Sequence, residues 1–92
     1  MLERTRLEID AELERARAKF PMPNPTCVAL VEEVGELAQA LLKCNAHKND
    51  YQARCKHVYE EAIQVATMAI RVLEEGDRDY PNYVTHLGMS GG

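Results

Sequence analysis

Two stretches of this chain carry apolar faces too wide for one neighbouring helix to cover, and nothing else in the sequence constrains the fold as tightly. Wound at about 100° per residue, Val58, Ala62, Ile63, Val65, Ala66, Ala69, Ile70, Val72 and Leu73 span about half the circumference of a helix. On an earlier helix, Val31, Val34, Ala38, Leu41 and Leu42 cluster together, and Leu30 and Leu37 widen that arc. A chain of 92 residues has too few helices to bury both faces by itself. The expectation is an all-α bundle of three main helices per chain, completed by homo-oligomerisation, most simply as a two-fold dimer. A monomer whose tail folds over the exposed part is the competing arrangement.

Turn chemistry divides the chain. A first helix is expected over residues 2–19, where Leu2, Ile9, Leu13, Ala16 and Phe20 lay down a narrow apolar stripe. Pro21, Pro23 and Pro25 stop it and hold an extended linker. Asn24 as N-cap with Pro25 at the first helical position starts a second helix over 25–44. The polar stretch 45–50 ends it, with Asn45 suited to the left-handed position after the last turn. A third helix starts at Asn49 or Asp50, runs through Glu75 and closes at Gly76. Residues 1–76 thus read as one helical domain and 77–92 as an irregular tail.

Composition removes several function classes. The apolar share is 46%, too high for a disordered chain, and no apolar run approaches the ~20 residues of a membrane span. Eleven Lys+Arg against fifteen Asp+Glu give a charge of −4, without the basic patch that a nucleic-acid polymer would require. The first residues lack the apolar core of a secretory signal, which points to the cytoplasm. Cys27, Cys44 and Cys55 are odd in number and unpatterned, so reduced thiols fit better than a disulfide framework.

The chemistry lies in the carboxylates. Glu32 and Glu36 are four apart and stack on one helix face, with Glu33 beside them. Like charges at that spacing repel, and no Lys or Arg lies within a turn to offset them. Gly35, inside the run, costs about another 1 kcal/mol against alanine. Close approach of a second backbone, or room for a ligand, would account for it. A glutamate run on an arbitrary helix is a solvated face. Here a second acidic group, Glu60 and Glu61 followed by Gln64, opens the most apolar part of the third helix. In an antiparallel pair, oxygens from both helices can converge on one hard cation such as magnesium.

The run Glu32-Glu33-Val34-Gly35-Glu36, with its Leu37-Ala38 continuation, and Glu61-Ala62-Ile63-Gln64 about 25 residues later resemble the MazG-like all-α nucleoside triphosphate pyrophosphohydrolases. That family carries Glu-Glu-x-x-Glu on one helix and Glu-x-x-Asp on the next, and the resemblance covers residues 20–76. It implies cleavage between the α- and β-phosphates of a nucleoside triphosphate, giving a monophosphate and pyrophosphate. It also implies a homodimer or dimer of dimers, and Mg2+ as cofactor, with Mn2+ as the alternative ion. By the same resemblance Glu32, Glu33, Glu36 and Glu61 are ligands, one of them serving also as base. The family's aspartate is replaced by Gln64, whose amide oxygen can coordinate but brings no charge. Glu60, one turn earlier, can supply that charge. The replacement leaves open a second reading, a non-catalytic helical oligomer that binds nucleotides or partners.

Three cations are candidates for holding substrate phosphate: Lys43, Lys48 and Arg71, with pairing of Arg71 to Glu74 or Glu75 as the structural alternative. Cys44-x-x-His47 and Cys55-x-His57 have zinc-like spacing, but Cys55 falls in the apolar arc of its helix and His57 points away, so convergence is expected to be poor.

Overall fold

The computed structural model describes residues 1–46 and 51–79. They form three helices and, among the described residues, no strand: α1 (Glu3–Lys19), α2 (Thr26–Ala46) and α3 (Tyr51–Glu75). No helix among them is long and apolar enough to cross a membrane. The proposed start of α3 at Asn49 or Asp50 and most of the tail lie outside the described residues.

The central element is α3. It packs against α2 along one side and α1 along another, whereas α1 and α2 do not pack directly. The small core joins Ile9 and Leu13 of α1 to Ile63 of α3, with Tyr59, Ala66 and Ile70 packed around them. The anticipated α1 stripe is therefore shorter than its sequence pattern, because Leu2 and Phe20 at its ends remain exposed. Charge pairs one turn apart, Arg4–Glu8, Glu3–Arg6 and Glu12–Arg15, run along α1. Glu3 in its first turn and Arg17 and Lys19 in its last complement the helix dipole.

The face of α2 that meets α3 differs from its most apolar arc. Glu33, Leu37, Ala40 and Cys44 are at least half-buried, while Val31 is 70% exposed and Leu42 69%. Val28, Val34 and Leu41 are also exposed, as is Leu73 on α3. Among the described residues nothing covers this part of the α2 arc, and the competing arrangement, a tail folded over it, lies outside them.

Both ends of α2 depart from expectation. Helical geometry begins at Thr26, one residue later than anticipated, and the Cys27 N–H in the first turn donates to Asp77 Oδ2 at 2.7 Å rather than to Asn24. The Asn24 carbonyl instead accepts the N–H groups of Thr26 and Arg78. Thr26 is fully buried and donates its hydroxyl to the Gly76 carbonyl. Asp77, assigned by sequence to the tail, is therefore a long-range cap that ties the end of α3 to the start of α2. At the far end, α2 continues through Asn45 and Ala46, so Asn45 is helical and does not occupy a left-handed stop. Gly76 does take that role for α3: at φ 81° its N–H reaches back to the carbonyls of Arg71 and Val72.

Candidate functional site

The α2–α3 seam contains an acidic layer. Glu33 and Glu36, three apart on α2, meet Glu61 of α3, and each offers a carboxylate oxygen within 4.8 Å of the other two. Glu33 lies on the seam itself, because it continues the line of Leu37, Ala40 and Cys44 that faces α3. Glu33 Oε2 and Glu61 Oε2 are buried and have no hydrogen-bond partner among the described residues. Buried carboxylate oxygens are ordinarily satisfied, and leaving one unmade costs about 1–3 kcal/mol.

The electrostatics follow from that crowding. Burial, and then the charges of Glu36, Glu61 and Glu32, push the Glu33 carboxyl up to about 7. Glu61 is raised too, first by burial and next by Glu36; His57, whose Nε2 lies 3.8 Å from Glu61 Oε1, offsets part of this. Hard oxygen donors from two helices, with two buried oxygens that lack partners among the described residues, could hold a divalent cation.

The other anticipated residues are placed differently. Glu32 is exposed and stands outside the trio, on a cleft of about 480 Å3 that also reaches Glu33. Glu60 is exposed, 4.0 Å from Lys56, and opens toward Glu8 and Glu12 of α1. Gln64 faces the α1 side beside Glu12, and the Arg15 guanidinium, helped by Gln64, outweighs burial and holds the Glu12 carboxyl below its usual range. The second acidic motif thus delivers one residue, Glu61, to the trio. Glu60 points away because it is one position, about 100°, around the helix from Glu61.

Of the three phosphate candidates, Arg71 is excluded by its surroundings. It is fully buried, and its guanidinium donates to the carbonyl of Phe20 at 2.7 Å, to that of Ala16, and to both Glu75 oxygens. It serves the Phe20 carbonyl and adds a second donor to the Ala16 carbonyl, which already accepts the Phe20 N–H, and its burial keeps it from reaching a substrate. Burial alone would raise the Glu75 carboxyl, but Arg71 and Arg17 outweigh it and hold the group down. Lys43 remains exposed and lines a second cleft, about 270 Å3, with Arg54 and His57. Lys48 and His47 lie outside the described residues.

Several site-lining groups escaped the sequence reading. The larger cleft is bounded by Arg15, Lys19, Phe20 and Asn24 opposite Glu32 and Glu33, which places cations, an aromatic ring and an amide around the carboxylates. The available signal was the exposed Phe20 just before the proline linker, an apolar ring with no helix left to bury it. Gly35 faces open space: a Cβ there would meet nothing within 4 Å, so no close approach among the described residues accounts for the glycine. The zinc pattern fails in part, since Cys44 and Cys55 do meet, with Sγ atoms 3.9 Å apart, while His57 is exposed and turned toward Glu61.

No family model, curated protein or solved structure matches this chain.

Proposed function

We propose that the chain is a cytoplasmic, magnesium-dependent nucleotide pyrophosphohydrolase of the MazG-like kind, working as a homodimer or dimer of dimers. The observation that carries this reading is the convergence of Glu33, Glu36 and Glu61 from two helices, with buried oxygens that lack partners. Those three residues would hold the cation, Mg2+ or alternatively Mn2+. When bound, the ion supplies charge neutralisation for a triphosphate and acidifies a coordinated water. Arg15 and Lys19 across the larger cleft attract the phosphates, and Phe20 offers a face on which a base can stack. Glu32, at the rim and outside the trio, is positioned to orient water and accept its proton. Water adds across the bridge between the α- and β-phosphates, the bridging bond breaks, and monophosphate and pyrophosphate leave.

A second copy of the chain covers the bare arc of Val31, Val34, Leu41 and Leu42 in this reading. That copy can also bring its own groups beside Gly35, where this chain leaves room.

The direct test is pyrophosphate release from a panel of nucleoside triphosphates with Mg2+ present. Turnover supports the reading, and no turnover for any of them in a folded oligomer overturns it. One observation favours the non-catalytic alternative: Gln64 faces the α1 side beside Glu12, so among the described residues the seam brings together three acids. Calorimetry with Mg2+ and a non-hydrolysable triphosphate separates the two, because binding without turnover on the natural triphosphate identifies a binding module.

A further inference from the structure

We propose that Cys44 and Cys55 form a reversible intrachain disulfide, made by exchange with a low-molecular-weight disulfide, that clamps one end of the α2–α3 seam. The two sulfurs are 3.9 Å apart and both side chains are half-buried, facing each other from consecutive helices. A disulfide requires about 2.05 Å, so the sulfurs must close by a little under 2 Å. Each thiol is a single rotatable bond from its helix, which makes side-chain rotation the natural route to that approach.

The position gives the bond a consequence. Cys44 extends the line Glu33, Leu37, Ala40 along the side of α2 that meets α3. Tying it to Cys55 fixes the spacing of the two helices at the end of the same seam that holds the acidic layer. Cys55 is also the chief cause that raises the exposed Tyr51 phenol above its ordinary value, so a third weakly acidic group stands near the pair. Burial, and then Cys55 itself, raise the Cys44 thiol above its ordinary value. Exchange is therefore slow at neutral pH and quickens as pH rises, since the thiolate is the attacking species.

The chemistry balances without a metal. One cysteine thiolate attacks a sulfur of the external disulfide, forming a mixed disulfide and expelling one small thiolate. The second cysteine, as thiolate, attacks the protein sulfur of that mixed disulfide and expels the other. Two protein thiols are oxidised, one external disulfide is reduced to two thiols, and the protein loses two hydrogens. The inference does not depend on what the acidic layer binds.

Cys27 is exposed and would take its own adduct, so the test uses the Cys27→Ser chain. The reduced protein is incubated with oxidised glutathione at pH 8 and analysed by intact mass and peptide mapping. The expected result is a mass lower by about 2 Da, a linked peptide pair containing Cys44 and Cys55, and full reversal by dithiothreitol. Adding Cys44→Ser or Cys55→Ser should abolish the loss and leave a stable glutathione adduct on the remaining thiol. The clamped form should melt about 10 °C higher, because a loop of roughly a dozen residues is closed in the unfolded chain. Persistent glutathione adducts on Cys44 or Cys55, free thiols after prolonged incubation, or an unchanged melting temperature in the cross-linked form would each overturn the proposal.

Discussion

Glu33→Gln turns the strain of the acidic layer into a measurement. The Glu33 carboxyl titrates near 7 in the folded chain against an ordinary value of 4.5, chiefly because it is buried and next because Glu36, Glu61 and Glu32 surround it. At about 1.36 kcal/mol per pKa unit, ionising it inside the fold costs up to about 3 kcal/mol, and partial solvent access lowers that to about 1–2 kcal/mol. The direction follows from proton uptake. Between about pH 4.5 and 7 the folded state holds more protons than the unfolded one, so stability is fully present below that window and is lost as pH rises through it. Glutamine keeps the shape, carries no charge and can donate to its acidic neighbours. Without divalent ions at pH 8, the variant should therefore melt roughly 5–10 °C above the parent, and at pH 5 the gap should shrink. Adding Mg2+ at pH 8 should raise the melting temperature of the parent and do far less for the variant, because a cation supplies what glutamine supplies by neutrality. Thermal melts at the two pH values, with chelator and then with magnesium, provide all four comparisons. A variant no more stable than the parent at pH 8 in chelator would refute the argument, since it would show that Glu33 is not held ionised against its surroundings.

Other substitutions probe separate parts of the structure. Glu36→Gln should abolish pyrophosphate release while circular dichroism still shows a helical, cooperatively melting protein, because Glu36 is exposed and contributes a ligand rather than packing. Leu42→Glu places a charge in the bare arc of α2, where Leu42 is 69% exposed within the chain; light scattering after size exclusion should report a smaller assembly than the parent at the same concentration. Arg71→Met leaves the Phe20 carbonyl without its donor and the Glu75 carboxylate without its buried partner, which should cost about 3 kcal/mol and lower the denaturant midpoint with an unchanged slope.

What the sequence made legible, and what it hid, separates by range. Most local signals held: the proline linker ended α1, Gly76 closed α3, and the 3.6-residue period located all three helices, whereas the Asn24 cap and the Asn45 stop of α2 did not. The pairing of Glu36 with Glu61 was also readable, because each motif fixes its carboxylates on one helix face and consecutive helices pack antiparallel. Choosing among neighbouring acids was harder. Glu32 and Glu33 differ by one residue, and only the packing of Leu37 and Ala40 against α3 turns Glu33 inward and leaves Glu32 at the rim. The apolar arc misled for a related reason: its widest part marks a surface requiring cover, and nothing in a period says whether that cover comes from this chain.

Contacts that join distant residues left no pattern at all. Asp77 capping α2 and Arg71 serving the end of α1 span about 50 residues each, and both look in sequence like ordinary surface charges. Their common logic is that a helix end leaves N–H or C=O groups unpaired, and a small bundle with short linkers must borrow a partner from another element. α1 ends without a glycine, and the Asn24 offered by sequence as the cap of α2 gives way to Asp77, so each end takes a partner from another element. A missing cap, as at the end of α1, is itself a sequence signal, whereas a cap that is offered and unused, as at Asn24, is not; both give an Asp or Arg near a helix junction a structural duty before a catalytic one. By that reasoning Arg71 is committed to the end of α1, whereas Arg15, paired with Glu12, and Lys19, over the Phe20 ring, serve no helix end and line the acidic cleft, which is why the proposed function gives the phosphates to them.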